Sequence, residues 1–306
     1  MNHIPQFPLF KKVELSDRAA YEKYYSQFEP YSDFSFNNMW IWFNQQGNLG
    51  FSFHEDSLIV RFDNPFDSDR INYTLIGKRN CGKALHRLLR WQQAMHLDKR
   101  VVMVPEIVIK NLGQIHAPLN ISEDIDNLDY VCDVDRMSSP SGKDFVKYRH
   151  ALTHFKTHYE DGLSVQVANL ADTSQRTELI NSLHTWDSTY RQSDQSRLEG
   201  AALDRLFVLA DILPVNCLVV RHNDKIISFA IFQIAPQPSY AIVNHLKCNN
   251  EYRYIFDATF SYLINELSSR NIHYVNIEQD LGIPGLREHK RRLRPVLYLR
   301  RYTVNG

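Results

Sequence analysis

Apolar and polar positions along the first half of the chain follow the periods of both helices and strands. DRAAYEKYYSQF (17–28) has helical character, and LGFSFHEDSLIVRFDN (49–64) reads as two strands around the polar turn from His54 to Ser57. CGKALHRLLRWQQAMH (81–96) sets Ala84, Leu85, Leu88 and Leu89 at helical spacing. KRVVMVPE (99–106) is a short buried strand ended by Pro105, and DYVCDV (129–134) is another. The second half repeats the mixture. Strand LSVQVANL (163–170) precedes a helix from about Ser174 to Tyr190, helix AALDRLFVLADIL (201–213) and strand NCLVVRH (216–222). DKIISFAIFQIA (224–235) and SYAIVNHLKC (239–248) form a hairpin, helix 253–269 carries Phe256, Phe260, Leu263 and Leu267 on one face, and IHYVNIE (272–278) is a last strand. The class is α+β in each half, with no tight internal sequence repeat.

Between the halves, SSPSGKDFVKYRHALTHFKTHYEDG (138–162) predicts a long helix. Ser141 and Asp144 match a capping box, and Gly162 is placed to end it. Phe145, Tyr148, Leu152, Phe155 and Tyr159 make one apolar stripe, while Lys143, Lys147, His150, His154 and His158 fall nearly opposite. One face packs and the other is basic and exposed.

The chemistry concentrates near the C-terminus. In IHYVNIEQD the period of two places Tyr274, Asn276 and Glu278 on one face of a strand. DLGIPGLREHKRRLRP (280–295) then turns on Gly282, Pro284 and Gly285 into a short helix that Pro295 must end. Arg287, Lys290, Arg291 and Arg294 share one face of it, and Leu286, His289 and Leu293 form the ridge that docks it. Glu278 or Asp280 could therefore hold an amine beside cations that bind phosphate. The competing arrangement has these acids pair with Arg287 or Lys290 themselves.

Net charge narrows the partners only locally, since 35 basic residues balance 35 acidic ones. Residues 122–135 hold six acids and no base, whereas 287–301 hold seven Lys or Arg and one acid, so segregation can make a basic surface on a neutral protein. Cys81, Cys132, Cys217 and Cys248 lie far apart without metal or redox spacing, and no H-E-x-x-H accompanies the histidines, so no metal is expected. MNHIPQFPLF is unlike a signal peptide, and the most apolar run, 206–220, is broken by Asp211 and Pro214. These features lead to the expectation of a cytoplasmic protein without an integral membrane segment, leaving peripheral membrane contact open. Phosphate-loop, dinucleotide and serine-hydrolase fingerprints are missing, which lowers those chemistries. Acyl transfer needs no such motif, only a bound donor, a deprotonated acceptor and stabilisation of an oxyanion.

The segments EDIDNLDYVCDVDRMSSPSGKDFVKYRHALTHFKTHY and NIEQDLGIPGLREHKRRLRPVLYLRRY, with SFNNMWIWF (35–43), resemble the phosphatidylglycerol lysyltransferase C-terminal domain family. The resemblance implies two tandem GNAT-like acyltransferase folds, divided as 1–137, a connecting basic helix 138–162, and 163–306 with the active site. It implies aminoacyl transfer from tRNA to a lipid headgroup or other small hydroxyl or amine, with no further cofactor. Carried over by motif, Glu278 and Asp280 would recognise an amine at the catalytic centre and Arg287 and Lys290 would bind phosphate. Arg291 and Arg294 extend that basic face, and Gly282 and Gly285 shape the turn. Lys143, Lys147, Arg149 and His150 would meet tRNA backbone. An acyl-CoA donor, or a binding module without turnover, are the alternatives; KCNNEYRYIF (247–256), lacking glycine where CoA-dependent relatives carry a phosphate loop, argues against CoA.

Overall fold

The computed structural model describes residues 3–65, 67–113, 119–189 and 194–306; Tyr190, the expected end of one helix, lies outside them. The first half contains β1 (Lys11–Lys12), α1 (Arg18–Tyr25), α2 (Phe36–Phe43), β2 (Gly50–His54), β3 (Ser57–Asn64), β4 (Asp67–Ile76), α3 (Cys81–Ala94), β5 (Arg100–Pro105), α4 (Glu106–Lys110), β6 (Asn120–Glu123) and β7 (Asp129–Asp133). The rest contains α5 (Val134–Ser138), α6 (Val146–Tyr159), β8 (Leu163–Ala168), α7 (Thr173–Thr189), α8 (Asp194–Val208), β9 (Asn216–His222), β10 (Lys225–Ile234) and β11 (Tyr240–Cys248). It closes with α9 (Ile255–Ser269), β12 (Tyr274–Asn276), α10 (Pro284–Arg292), β13 (Leu297–Leu299) and β14 (Arg301–Asn305).

A seven-stranded sheet in the order β13-β7-β12-β11-β10-β9-β8 carries the core. Its interior strand β10 is an almost unbroken apolar run because both faces are covered. Alternation sorts the two sides: Phe229 and Ile231 join a cluster with Tyr21, Leu183 and Phe207. Ala230 and Phe232 join Phe155, Phe260 and Leu263 on the opposite side. Thus α9 and α6 pack on one face, and α1, α2, α7 and α8 on the other.

The sheets are not partitioned at the expected break between residues 137 and 163. Strand β7, from the first half, pairs antiparallel with both β12 and β13. Reciprocally, the C-terminal β14 pairs with β5 and β6. Each half completes its sheet with a strand from the other, and the elements that cross meet in one place.

Some element bounds move for local reasons. The connecting segment begins with a 3-10 turn, Lys143–Phe145, and its helix proper is Val146–Tyr159, with no side-chain cap. Asp144 instead lies 3.4 Å from Arg294 and 3.8 Å from Arg136. Helix α8 starts and ends earlier than 201–213, and turns carry Leu209 to Leu213 toward Pro214, which disfavours helix in the residue before it.

Candidate active site

Strands β11 and β12 run parallel but pair only from Tyr240↔Tyr274 to Ile242↔Asn276. Beyond that point β11 bulges: Ile231 opposes His245 and Phe232 opposes Val243, leaving Asn244 unmatched. The other strand also leaves the ladder, since Glu278 has a left-handed backbone with φ of +60°. The two strands splay and a cavity of about 480 Å³ opens between Val243–Leu246 and Ile277–Gln279. That volume suits a small-molecule group.

Asn38 of α2 spans the gap. Its side-chain amide donates to Glu278 Oε1 at 2.8 Å, and its carbonyl accepts from Asn244 at 2.8 Å. Lys290 of α10 is buried below, donating to the carbonyls of Ile277 and, at 2.6 Å, Gln279. Burial pushes the Glu278 carboxyl up, although Lys290 and the Asn38 hydrogen bond pull the other way. Burial likewise pushes the Lys290 ammonium down against the attraction of Glu278. Behind them Arg301 of β14, only 1% exposed, pairs with Asp33 and, at 2.7 Å, with Asp129 of β7. Asn276 and Ser32 also donate to Asp129, at 2.8 and 2.7 Å. Burial raises Asp33 to about 6 despite Arg301. The crossed strands therefore build a hydrogen-bonded ionic base, centred on Asp129, under the cavity.

The lining includes the carboxylates Asp33, Asp124, Glu199 and Glu278, against the cations Arg100 and Lys290. Across from Glu278, His245 lies 3.4 Å from Glu199, which Lys247 also holds at 2.5 Å. Burial raises the Glu199 carboxyl, but the hydrogen bond from His245 and the charge of Lys247 outweigh it and bring it to about 2. Among the described residues no cluster of three or more His, Cys, Asp or Glu could hold a metal.

A family model described as phosphatidylglycerol lysyltransferase, C-terminal, matches residues 25–305. The chain belongs to that family. Three solved structures share its fold. A protein of unknown function from Bacteroides thetaiotaomicron is 20% identical with a TM-score of 0.84, covering 97% of this chain and 98% of its own. The C-terminal domain of a putative lysylphosphatidylglycerol synthetase from Agrobacterium fabrum is 12% identical with a TM-score of 0.64, covering 95% and 92%. L-PGS from Bacillus licheniformis is 13% identical with a TM-score of 0.58, covering 85% and 84%. No curated protein matches the chain. The mixed helices and sheets bear out the α+β class, and membership of the family supports an acyltransferase. Among the described residues no helix is long and apolar enough to cross a membrane.

Within this family fold the expected site residues separate. Glu278 faces the cavity. Asp280 does not: it is fully buried, accepting from Tyr130, from Gly282 N–H at 2.9 Å and from both Nε and Nη2 of Arg287 at 2.8 and 2.7 Å. Burial raises its carboxyl, but those hydrogen bonds outweigh it and hold the group below its usual value. Arg287 also binds Asp126 at 2.5 Å, so it clamps the first turn of α10. Gly282 needs its φ of +73°, and a Cβ there would lie 3.1 Å from the Asp126 carboxylate. Gly285 is instead an ordinary second residue of α10 with open space beside it.

The expected common face of Arg287, Lys290, Arg291 and Arg294 does not form. Arg294 lies beyond the helix, which ends at Arg292 ahead of Pro295, has φ of +54° and pairs with Asp144. Lys290 points inward, and Arg291 alone of the four is well exposed without a carboxylate partner among the described residues. Arg292 binds the buried Asp257 at 2.7 and 2.9 Å and ties α10 to α9. The docking ridge holds: Leu286, His289 and Leu293 line the cavity. On α6, Lys147 and His150 are exposed, as is Lys143 just before it, but Arg149 donates to the carbonyls of Pro140 and Gly142 at 3.3 and 2.9 Å. His154 stacks on His158 with ring centroids 4.0 Å apart.

Sequence reading missed Asp33, Asn38, Glu199, Asn244 and His245. A signal existed for three of them: Asn38 interrupts the apolar SFNNMWIWF, and Asn244 and His245 interrupt the apolar run of SYAIVNHLKC. Polar side chains inside such runs must find buried partners.

Proposed function

We propose that the chain transfers an aminoacyl group from aminoacyl-tRNA to a hydroxyl or amine acceptor such as a lipid headgroup. The observation that carries this reading is the acidic wall of the splayed-strand cavity. An ammonium entering beside Glu278 would meet a carboxyl that burial has raised, so its charge would draw off the proton and form an ion pair, while Asp33 stays held by Arg301. A cationic aminoacyl group has such an ammonium, whereas an acetyl group has none.

The segment where a CoA phosphate would sit supports the same donor. Between β11 and α9, Glu251 N–H donates to Asn249 Oδ1 at 3.0 Å, Tyr252 N–H to Asn249 O at 3.2 Å and Ile255 N–H to Tyr252 O at 3.1 Å. These amides already have acceptors and do not converge on an anion. With the amine held, the ester carbonyl can be presented to the acceptor, and positioning and electrostatics supply much of the rate. Lys143, Lys147 and Arg291, all exposed, are the surface cations this reading assigns to tRNA phosphates.

The test is transfer from lysyl-tRNA to phosphatidylglycerol vesicles by the purified chain. Transfer is expected, and Glu278→Gln should slow it by about 100-fold, within the range of a lost charged contact in the transition state. Calorimetric heat from acetyl-CoA, with no binding of charged tRNA, would replace this reading with a CoA-dependent acyltransferase. Tight ligand binding without turnover would make it a binding module.

A further inference from the structure

Opposite the acidic wall, the cavity presents a second titratable group that the aminoacyl pocket does not use. His245 stands on the splayed part of β11, one residue past the bulge at Asn244, and is only 3% exposed. Its Nδ1 lies 3.4 Å from Glu199 Oε1, and its Nε2 is buried with no hydrogen-bond partner among the described residues. Glu199 approaches from α8 and is fixed by Lys247 at 2.5 Å, two residues along β11 from His245. The indole of Trp42, from α2, packs on the imidazole with ring centroids 6.3 Å apart. His245 and Glu199 both line the cavity.

We propose that His245, oriented by Glu199, is the general base of this site, acting on a hydroxyl or primary amine acceptor. An ionised carboxylate at Nδ1 selects the tautomer with the proton on Nδ1, which leaves the Nε2 lone pair free. The bulge gives a reason for the position. In a regular ladder alternation would put residue 245 with Ala241 and Val243 on the α9 face, whereas the extra residue turns it to the face where Trp42 and Glu199 stand. The inference rests on the aminoacyl-transfer reading. As the acceptor oxygen attacks, a bond forms between it and the ester carbonyl carbon, and its proton passes to Nε2. When the tetrahedral intermediate collapses, the bond from that carbon to the tRNA ribose oxygen breaks, and Nε2–H returns the proton to the leaving oxygen. Atoms and charge balance without any co-reactant. A carboxyl and an imidazole thus divide the work, one wall holding the amine and the other moving the proton.

Two measurements on the full chain test this. Nitrogen-15 NMR of histidine-labelled protein should find His245 neutral with its proton on Nδ1; a proton on Nε2 overturns the inference whatever the activity. In single-turnover transfer from lysyl-tRNA, His245→Ala should slow the step by about 10²- to 10³-fold with tRNA binding unchanged. Added imidazole should restore the rate in proportion to its concentration, an effect that a merely structural histidine would not show. His245→Gln keeps the volume and should be equally slow, without rescue. Native-like rates in either variant overturn the inference alone. Absence of transfer by the native chain, with any aminoacyl-tRNA, overturns the donor reading and the inference together.

Discussion

Helices α6 and α10 are both amphipathic and rich in cations, yet the fold treats them oppositely. On α6 the apolar residues Tyr148 and Phe155 are buried, and Lys147, His150 and His158 face solvent, as their spacing predicts. On α10 the docking ridge also behaves as spaced, but three of its basic residues turn to partners within the protein: Arg287 to Asp280 and Asp126, Arg292 to Asp257, and Lys290 to two carbonyls. A basic helix is a surface for other molecules only where no carboxylates from elsewhere in the chain come within reach. For α10 those carboxylates are Asp280 from the turn just before it, Asp126 from the β6–β7 connection and Asp257 from α9.

The sharpest break of this comparison is removal of one clamp. Arg287→Ala leaves the buried Asp280 with only Tyr130 and the Gly282 N–H as donors, and should lower stability in urea unfolding clearly. Lys147→Ala, at an equally basic position of α6, should stay within about 0.5 kcal/mol. Equal losses would mean that the two helices are not different in kind.

A smaller effect is the pH dependence at Glu278. Its ordinary value is 4.5, and burial raises it to about 8 in the folded chain, so between those pH values the folded state holds a proton that the unfolded state has released. Stability contributed by this proton is complete below about pH 4.5 and is lost as pH rises toward 8. Glu278→Gln should therefore gain stability relative to the native chain across that interval, measured by urea unfolding at a series of pH values. A flat difference would show that the carboxyl is not held in its neutral form.

The smallest stability effect should carry a clear binding signature. Replacing Lys143 and Lys147 together by Ala should leave unfolding nearly unchanged, while the slope of log affinity for tRNA against log salt falls by roughly 1.4 to 1.8. An unchanged slope would take tRNA away from this face and end the contrast on which the comparison rests.

Much of the architecture was legible because burial writes a period into the chain. The β10–β11 hairpin, α3 and α9 could be read from apolar spacing, and the ridge of Leu286, His289 and Leu293 from helical position. Strands β13 and β14 were not legible, since LYL and RYTVN are too short to show a period and half-exposed. Nor was the division of labour between Glu278 and Asp280. Period two would put them on the same side of a strand, but β12 ends at Asn276 and the left-handed backbone at Glu278 sends one carboxyl to the cavity and the other under α10.

What the sequence by itself determined is the longer periodic elements, the outward cations of α6, the turn at Gly282 and the dense charge around Glu278. Those follow from local sterics and from the hydrophobic period, which act over a few residues. Only the tertiary structure decided where the charges went. Asp129 reaches Arg301 because β7 and β14 cross between halves, and His245 meets Glu199 because a bulge parts two strands over α8. Pairing between charges depends on distance in space, and separations of 46 and 172 residues leave no period for a sequence to carry.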